Sequence, residues 1–333
     1  MTKHRDPILE GIREASALHE YCQQKNLINM IAGRIDIINI VNHKQVFVIF
    51  KKLKNILGCC IHNPEAGIMI TTERSSSIQR FTLAHELGHI QLNHNEDSYD
   101  DESIIENDFG FQTVNRSSIE VAATSFANEF LMPKTLIINN LKRMGLKSQN
   151  EITASHIYNA SLHMGVSYTA ACWGMLSQKI LSSSKAEEFA KKSKKKIKEE
   201  ILNGTTLENY HPDVWRISKD FTGYIHAGPE DVIVLEVNEQ SSGGYIWDIE
   251  MFKQKGFKIL SEEQCTETER TYGASRKLKI VVQNIIEGDK NFYFHNLRPW
   301  ERNNVAEEIP IVGSFYKEKE GIPNEIKKKK LGE

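Results

Sequence analysis

The sequence predicts an α+β chain in two successive halves: helices with a small sheet first, strands afterwards. Three observations carry this. Before residue 203, apolar residues recur at spacings of three and four along several stretches. From residue 213 they alternate in short runs bounded by turn residues. Between the two patterns, Asn203-Gly204-Thr205 breaks any continuing helix. A chain of 333 residues is long enough for two cores, and 40% hydrophobic content suits a globular protein. Lys and Arg total 42 against 44 Asp and Glu, so the net charge of −2 argues against a nucleic-acid binder working through bulk charge. No apolar run reaches the length of a membrane span, and the first 21 residues lack the apolar core of a signal peptide. The five cysteines, Cys22, Cys59, Cys60, Cys172 and Cys265, show no zinc-type spacing. An odd count without a secretion signal reads as reduced thiols in a cytoplasm.

Residues 6–28 read as an amphipathic helix through Ile8, Ile12, Ala15, Leu18, Tyr21 and Cys22. Residues 35–50 and 56–71 read as β-rich, with Val46, Val48 and Phe50 alternating and Gly67-Ile68-Met69-Ile70 as a short strand. Ser75-Ser76-Ser77 offers an N-cap for the next helix. Ser117 and Glu120 have capping-box spacing, so another helix starts there and stops at Pro133. Residues 135–181 continue as helices, and 185–202 as one charged helix that serves as a connector. Strands follow at 232–237, 244–249, 257–260, 277–282, 291–295 and 309–315, with turns at Gly228-Pro229, Ser242-Gly243 and Gly288-Asp289. That is the signature of an all-β sandwich.

The chemistry concentrates in His85-Glu86-Leu87-Gly88-His89, an H-E-x-x-H on a predicted helix. Positions i and i+4 share one helix face, so His85 and His89 can present two imidazoles to one metal ion. Glu86 sits beside them, placed to act as a general base on a water. The apolar or small flanks Phe81, Ala84, Leu87 and Gly88 imply a buried helix, on which two imidazoles and a carboxylate need partners. A catalytic zinc takes three protein ligands and a water. A third His at the metzincin spacing would need Gly at 92 and His at 95, where the chain has Leu92 and Asn95. His94 falls off the ligand face and reads as a surface or supporting residue. Glu120 is the better third ligand, since Ala123 and Ala127 share its face and would let its helix approach closely. The alternative leaves Glu120 as a capping residue only.

These two helices together resemble the ImmA/IrrE family of metallopeptidases, over about residues 8–180. The resemblance implies a zincin-like domain with one Zn²⁺ per chain bound by His85, His89 and Glu120, and Glu86 as general base. Many members carry a second Glu two residues after the ligand Glu; here that place is Ala122. Known members cleave helix-turn-helix repressors, so the implied partner is such a protein substrate. The acidic stretch 95–116 reads as a loop over the site. Residues 152–181 loosely resemble a helix-turn-helix themselves, but Tyr168, Ala170, Ala171, Cys172 and Trp173 suit packing against the catalytic part better than base reading.

In the second half, Gly244-Tyr245-Ile246-Trp247 and Arg298-Pro299-Trp300-Glu301 resemble the chagasin-like inhibitors of papain-type cysteine peptidases, over about residues 210–318. The resemblance implies an Ig-like sandwich whose loops meet at one end, with Gly244, Tyr245, Arg298, Pro299 and Trp300 binding a partner such as a papain-like cysteine peptidase. Gly243 stands where the family has Thr, and Gly273-Ala274-Ser275 keeps only one Gly of the middle loop. Trp247 reads as the core Trp of the sandwich and Trp300 as a contact residue.

The sequence therefore predicts a metallopeptidase domain over 1–182, a charged helical linker over 183–209, a β-sandwich over 210–318 and a disordered Lys-rich tail over 319–333. The expected protein is a cytoplasmic zinc endopeptidase with a binding module and no membrane or nucleic-acid partner. Two other readings compete: an inhibitor or binding protein on an inactive peptidase scaffold, and a DNA-binding regulator using residues 152–181.

Overall fold

The computed structural model describes residues 6–28, 33–61, 65–94, 98–101, 117–219, 223–239, 243–265 and 276–316. The Lys-rich tail, residues 273–275 and most of the stretch 95–116 lie outside them. Contacts divide the described residues into two compact units, one within residues 6–138 and 164–190, the other within residues 139–163 and 191–316.

The first unit is helical around one small sheet. Helix α1 (Pro7–Gln24) starts where Asp6 accepts a hydrogen bond from the Ile8 amide and Pro7 pre-sets the first turn. Its buried stripe is Gly11, Ala15, Leu18, His19 and Cys22, while Ile8 and Tyr21 are exposed, so the packed face is rotated from the predicted one. The reason is Gly11. A Cβ there would overlap the backbone carbonyl of Ala122, so the helix seats its glycine against α4 (Ser118–Leu131). His19 Nε2 reaches the Phe130 carbonyl of α4 at 2.9 Å.

The predicted β-rich stretch 35–50 is corrected by the structure: Ile37–His43 form helix α2, and only Phe47–Lys51 form strand β1. Asp36 caps α2 through the Asn39 amide, and Ile37, Ile38, Ile40 and Val41 are buried, so capping and burial override β-branched propensity. Strands β2 (Ile56–Ile61) and β3 (Gly67–Thr71) fall as predicted. Strand β4 (Ser98–Asp101) is additional and pairs antiparallel with β2. The sheet order is β1-β3-β2-β4, with β1 and β3 parallel. Helix α3 (Ser76–Gln91) lies against β2 and β3; it begins after Ser75, whose side chain makes no capping bond. Arg80 anchors it, donating to the carbonyls of Ile35 (2.8 Å) and Gly165 (3.2 Å). Helices α5 (Lys134–Arg143), α6 (Ala154–Met164) and α7 (Tyr168–Ser177) follow. The predicted single helix over 185–202 is two, α8 (Ser183–Ala190) and α9 (Lys194–Leu202), because Ser193 starts a new one by capping Lys196.

The second unit holds two four-stranded sheets around one core. Strands β5 (Val214–Ile217), β7 (Val232–Glu239), β10 (Arg276–Asn284) and β9 (Phe257–Cys265) form the first in that order. Strands β6 (Ile225–Ala227), β12 (Glu301–Phe315), β11 (Gly288–Arg298) and β8 (Ile246–Trp247) form the second. The predicted strand over 244–249 shortens to β8 and is followed by a short helix, α10 (Glu250–Gln254). Trp215, Leu235, Phe252, Phe257, Ile280, Phe292, Phe294, Ile311 and Phe315 fill the shared core. Trp247 is in it too, as predicted, stacked on Phe294 with its N–H donating to the Asn238 carbonyl at 3.1 Å. Each such side chain contributes about 1.5–3 kcal/mol by leaving water.

Helix α6, read with the first half of the chain, groups with the second unit and meets β5. Edge strands expose unpaired amides, and here side chains cover them. The Val214 amide donates to Tyr158 Oη (3.1 Å) and the Arg216 amide to Asn159 Oδ1 (2.7 Å). Tyr158 in turn donates to Asp213 at 2.7 Å, and His163 packs edge-on against Trp215. Lys198 of α9 donates to the Pro212 carbonyl at 2.8 Å and lies 3.1 Å from Asp213. Lys279 of β10 reaches the Leu202 and Asn203 carbonyls at the end of α9. These polar ties join α6 and α9 to the first sheet.

Candidate metal centre

The site is built by two helices that approach closely because their touching faces are small. Gly88 of α3 meets α4 where an added Cβ would lie 3.0 Å from Phe126 Cδ1 and 3.2 Å from the Ala123 carbonyl. Ala123 and Ala127 are fully buried, so the predicted close packing is present. It brings Glu120, in the first turn of α4, to the imidazoles of α3. His85 Nε2 lies 3.1 Å from Glu120 Oε2 and His89 Nε2 lies 3.5 Å from Glu120 Oε1. The two Nε2 atoms are 3.0 Å apart, and the donor atoms of all three residues lie within 4.8 Å of one another.

The backbone and the side chain of Glu120 face different groups. Its backbone amide donates to the Ser117 hydroxyl at 3.3 Å, capping α4, while its carboxylate faces the imidazoles. Burial pushes the Glu120 carboxyl up. The hydrogen bonds from His85 and His89, together with their charge, outweigh this and hold it below the usual carboxylate range. His85, Glu86 and His89 are fully buried, whereas the Glu120 side chain is 27% exposed, so the cluster opens to solvent on that side. Glu86 points toward β2. A Cβ at Gly58 would sit 3.2 Å from Glu86 Oε1 and closer still to Thr82 Cγ2, so glycine is what lets the strand lie against the Glu86 carboxylate.

Three supporting residues escaped the sequence reading or were only glimpsed in it. Thr124 Oγ1 lies 3.4 Å from His85 Nδ1, and His94 Nδ1 lies 2.9 Å from His89 Nδ1. Thr124 is four residues after Glu120 and so shares its helix face, a signal the sequence does carry. Gly58 has no such marker. With both Nδ1 atoms turned to protein groups, both Nε2 atoms converge on Glu120. Two imidazole nitrogens and a carboxylate, with an open side, form a donor set suited to zinc.

Residues 43–173 match the IrrE N-terminal-like domain family, Peptidase_M78. The match spans α3 and α4, with the whole His85, His89 and Glu120 cluster, and this IrrE-like segment is therefore similar to a metallopeptidase family. No curated protein matches the chain. Among solved structures, the cysteine protease inhibitor EhICP2 from Entamoeba histolytica is similar at 16% identity, over 32% of this chain and 99% of that one, with a TM-score of 0.28. A likeness of that size says nothing about what this chain binds.

In the second unit, the structure brings the two predicted loops together. Arg298 Nε donates to the Gly243 carbonyl at 3.0 Å, and the guanidinium lies 4.6 Å from the centre of the Tyr245 ring. Gly244, at φ +73°, packs under the Trp300 indole with no room for a side chain. Pro299 and Trp300 form the turn between β11 and β12, and Trp300 is 73% exposed. Among the described residues, no helix is long and apolar enough to cross a membrane. Cys22, Cys59, Cys60 and Cys172 are buried.

Proposed function

We propose that this protein is a zinc-dependent endopeptidase that hydrolyses a peptide bond in a protein substrate, and that its second unit is a partner-binding module. The convergence of His85, His89 and Glu120, with Glu86 one residue from the first ligand, carries the reading. The family similarity of residues 43–173 supports it. His85, His89 and Glu120 would hold the zinc, which when bound supplies a Lewis acid for the scissile carbonyl. Glu86 takes a proton from the attacking water and hands it to the nitrogen of the departing amine. The carboxylate of Glu120 offsets part of the cation's charge, and its exposed side is where substrate enters.

A helix-turn-helix repressor in the cytoplasm is the substrate class that the sequence resemblance favours. For the second unit, an Ig-like sandwich whose Gly244, Tyr245, Arg298, Pro299 and Trp300 end binds a papain-like cysteine peptidase fits the loop cluster. An exposed Trp held by its neighbours is the kind of residue that anchors an interface. The DNA-binding reading gains no support from α7, whose Tyr168, Ala170, Ala171, Cys172 and Met175 are buried.

The deciding experiment compares wild type with Glu86→Gln. Both should bind one zinc per chain, while new protein termini should appear only in cells carrying the wild type. Cleavage by Glu86→Gln at the wild-type rate would falsify the assignment of the base, and a wild type without zinc would remove the metal reading.

A further inference from the structure

His94 lies just past the end of α3, in a turn that folds back on the residue it faces. The His94 amide donates to the His89 carbonyl at 3.0 Å, and the preceding Asn93 adopts φ +54° to make the turn. The two side chains then meet as well, with ring centroids 5.0 Å apart at 67°. Main chain and side chain of His94 thus both engage His89, and the 2.9 Å between the Nδ1 atoms is a full hydrogen bond. His85 has a longer counterpart, Thr124 at 3.4 Å.

Two ring nitrogens at this distance share one proton. A metal at His89 Nε2 takes that atom's lone pair, which places the proton on His89 Nδ1. His94 Nδ1 must then be the acceptor, and the His94 proton resides on its outer Nε2. We propose that His94 is a positioning residue: it holds His89 in the Nδ1–H tautomer and fixes its ring angle, so that Nε2 meets the metal without reorganisation. His94 is not itself a ligand in this arrangement, because it meets the Nδ1 edge of His89, whereas the Nε2 edge faces Glu120. The inference rests on the reading of His85, His89 and Glu120 as a metal site.

The test measures zinc affinity of the full chain by competition with a chelating dye. His94→Ala should weaken binding by roughly 10–100-fold, the usual effect of removing such a support. His94→Asn offers an amide oxygen near the lost Nδ1 and is a poor zinc ligand, so recovery to within about threefold of wild type is expected if hydrogen bonding is the role. Nitrogen-15 spectra of the zinc-loaded wild type should show His94 protonated at Nε2, a readout that needs no variant. Unchanged affinity in His94→Ala, an Asn variant as weak as Ala, or His94 protonated at Nδ1 each overturns the inference. A zinc-binding wild type with an indifferent His94→Ala removes the positioning role alone. A wild type that binds no zinc removes the metal site and the positioning role together.

Discussion

His163 should make the second unit sensitive to acid. It is 3% exposed on α6 with its ring 5.0 Å from that of Trp215. Burial, helped by the nearby charge of Arg143, pushes its pKa down to about 3. In the unfolded chain the same imidazole protonates near 6.5, so between those values the unfolded state binds more protons and stability falls as the pH drops. At about 1.36 kcal/mol per pH unit, the full loss is on the order of 5 kcal/mol, of which roughly half falls between pH 7 and pH 4.5. Carboxylates also titrate there, so the measurement must be a difference. Urea unfolding of wild type and His163→Gln, followed by tryptophan emission at the two pH values, isolates the imidazole. Trp215, Trp247 and Trp300 all lie in the second unit and report on it. The wild type should lose on the order of 2–3 kcal/mol more than His163→Gln over this range. Parallel losses would refute the argument that His163 is buried neutral.

Three further outcomes follow from the packing. Gly88→Ala should lower zinc affinity, since its Cβ would press on the Ala123 backbone and move α4, with Glu120, by a few tenths of an ångström; dye competition measures it. Asn159→Ala should destabilise the second unit by about 1–3 kcal/mol in urea unfolding, because the Arg216 amide loses its acceptor. Trp300→Ala should change stability by less than about 0.5 kcal/mol yet cost roughly 2 kcal/mol or more in affinity for a partner captured by the second unit, as calorimetry would show.

The candidate site was legible because its chemistry is local. His85, Glu86 and His89 lie within one and a half helical turns, and the capping signal at Ser117 sets the phase of the helix that carries Glu120. The small residues Ala123 and Ala127 even announced the close approach of their helix, which meets Gly88. The support around the site was less legible, for reasons of distance. Gly58 matters only because β2 lies on Glu86, a contact between residues 28 positions apart. In the second unit, alternation marked most strands, but the strand read over 244–249 shortens to β8 and the short α10 follows it unannounced, since Trp247 and Phe252 are both drawn into the same core.

What the sequence determined by itself is the set of elements and reactive groups: periodicity, caps and the H-E-x-x-H spacing act over a few residues and need no fold to be read. Tertiary structure alone decided which groups meet. It turned 37–43 into a helix by burying four apolar residues, assigned α6 to the edge of β5, and set His94 behind His89. Burial and the pairing of edge amides are properties of the assembled chain, and no local pattern in the residues encodes which partner each one finds.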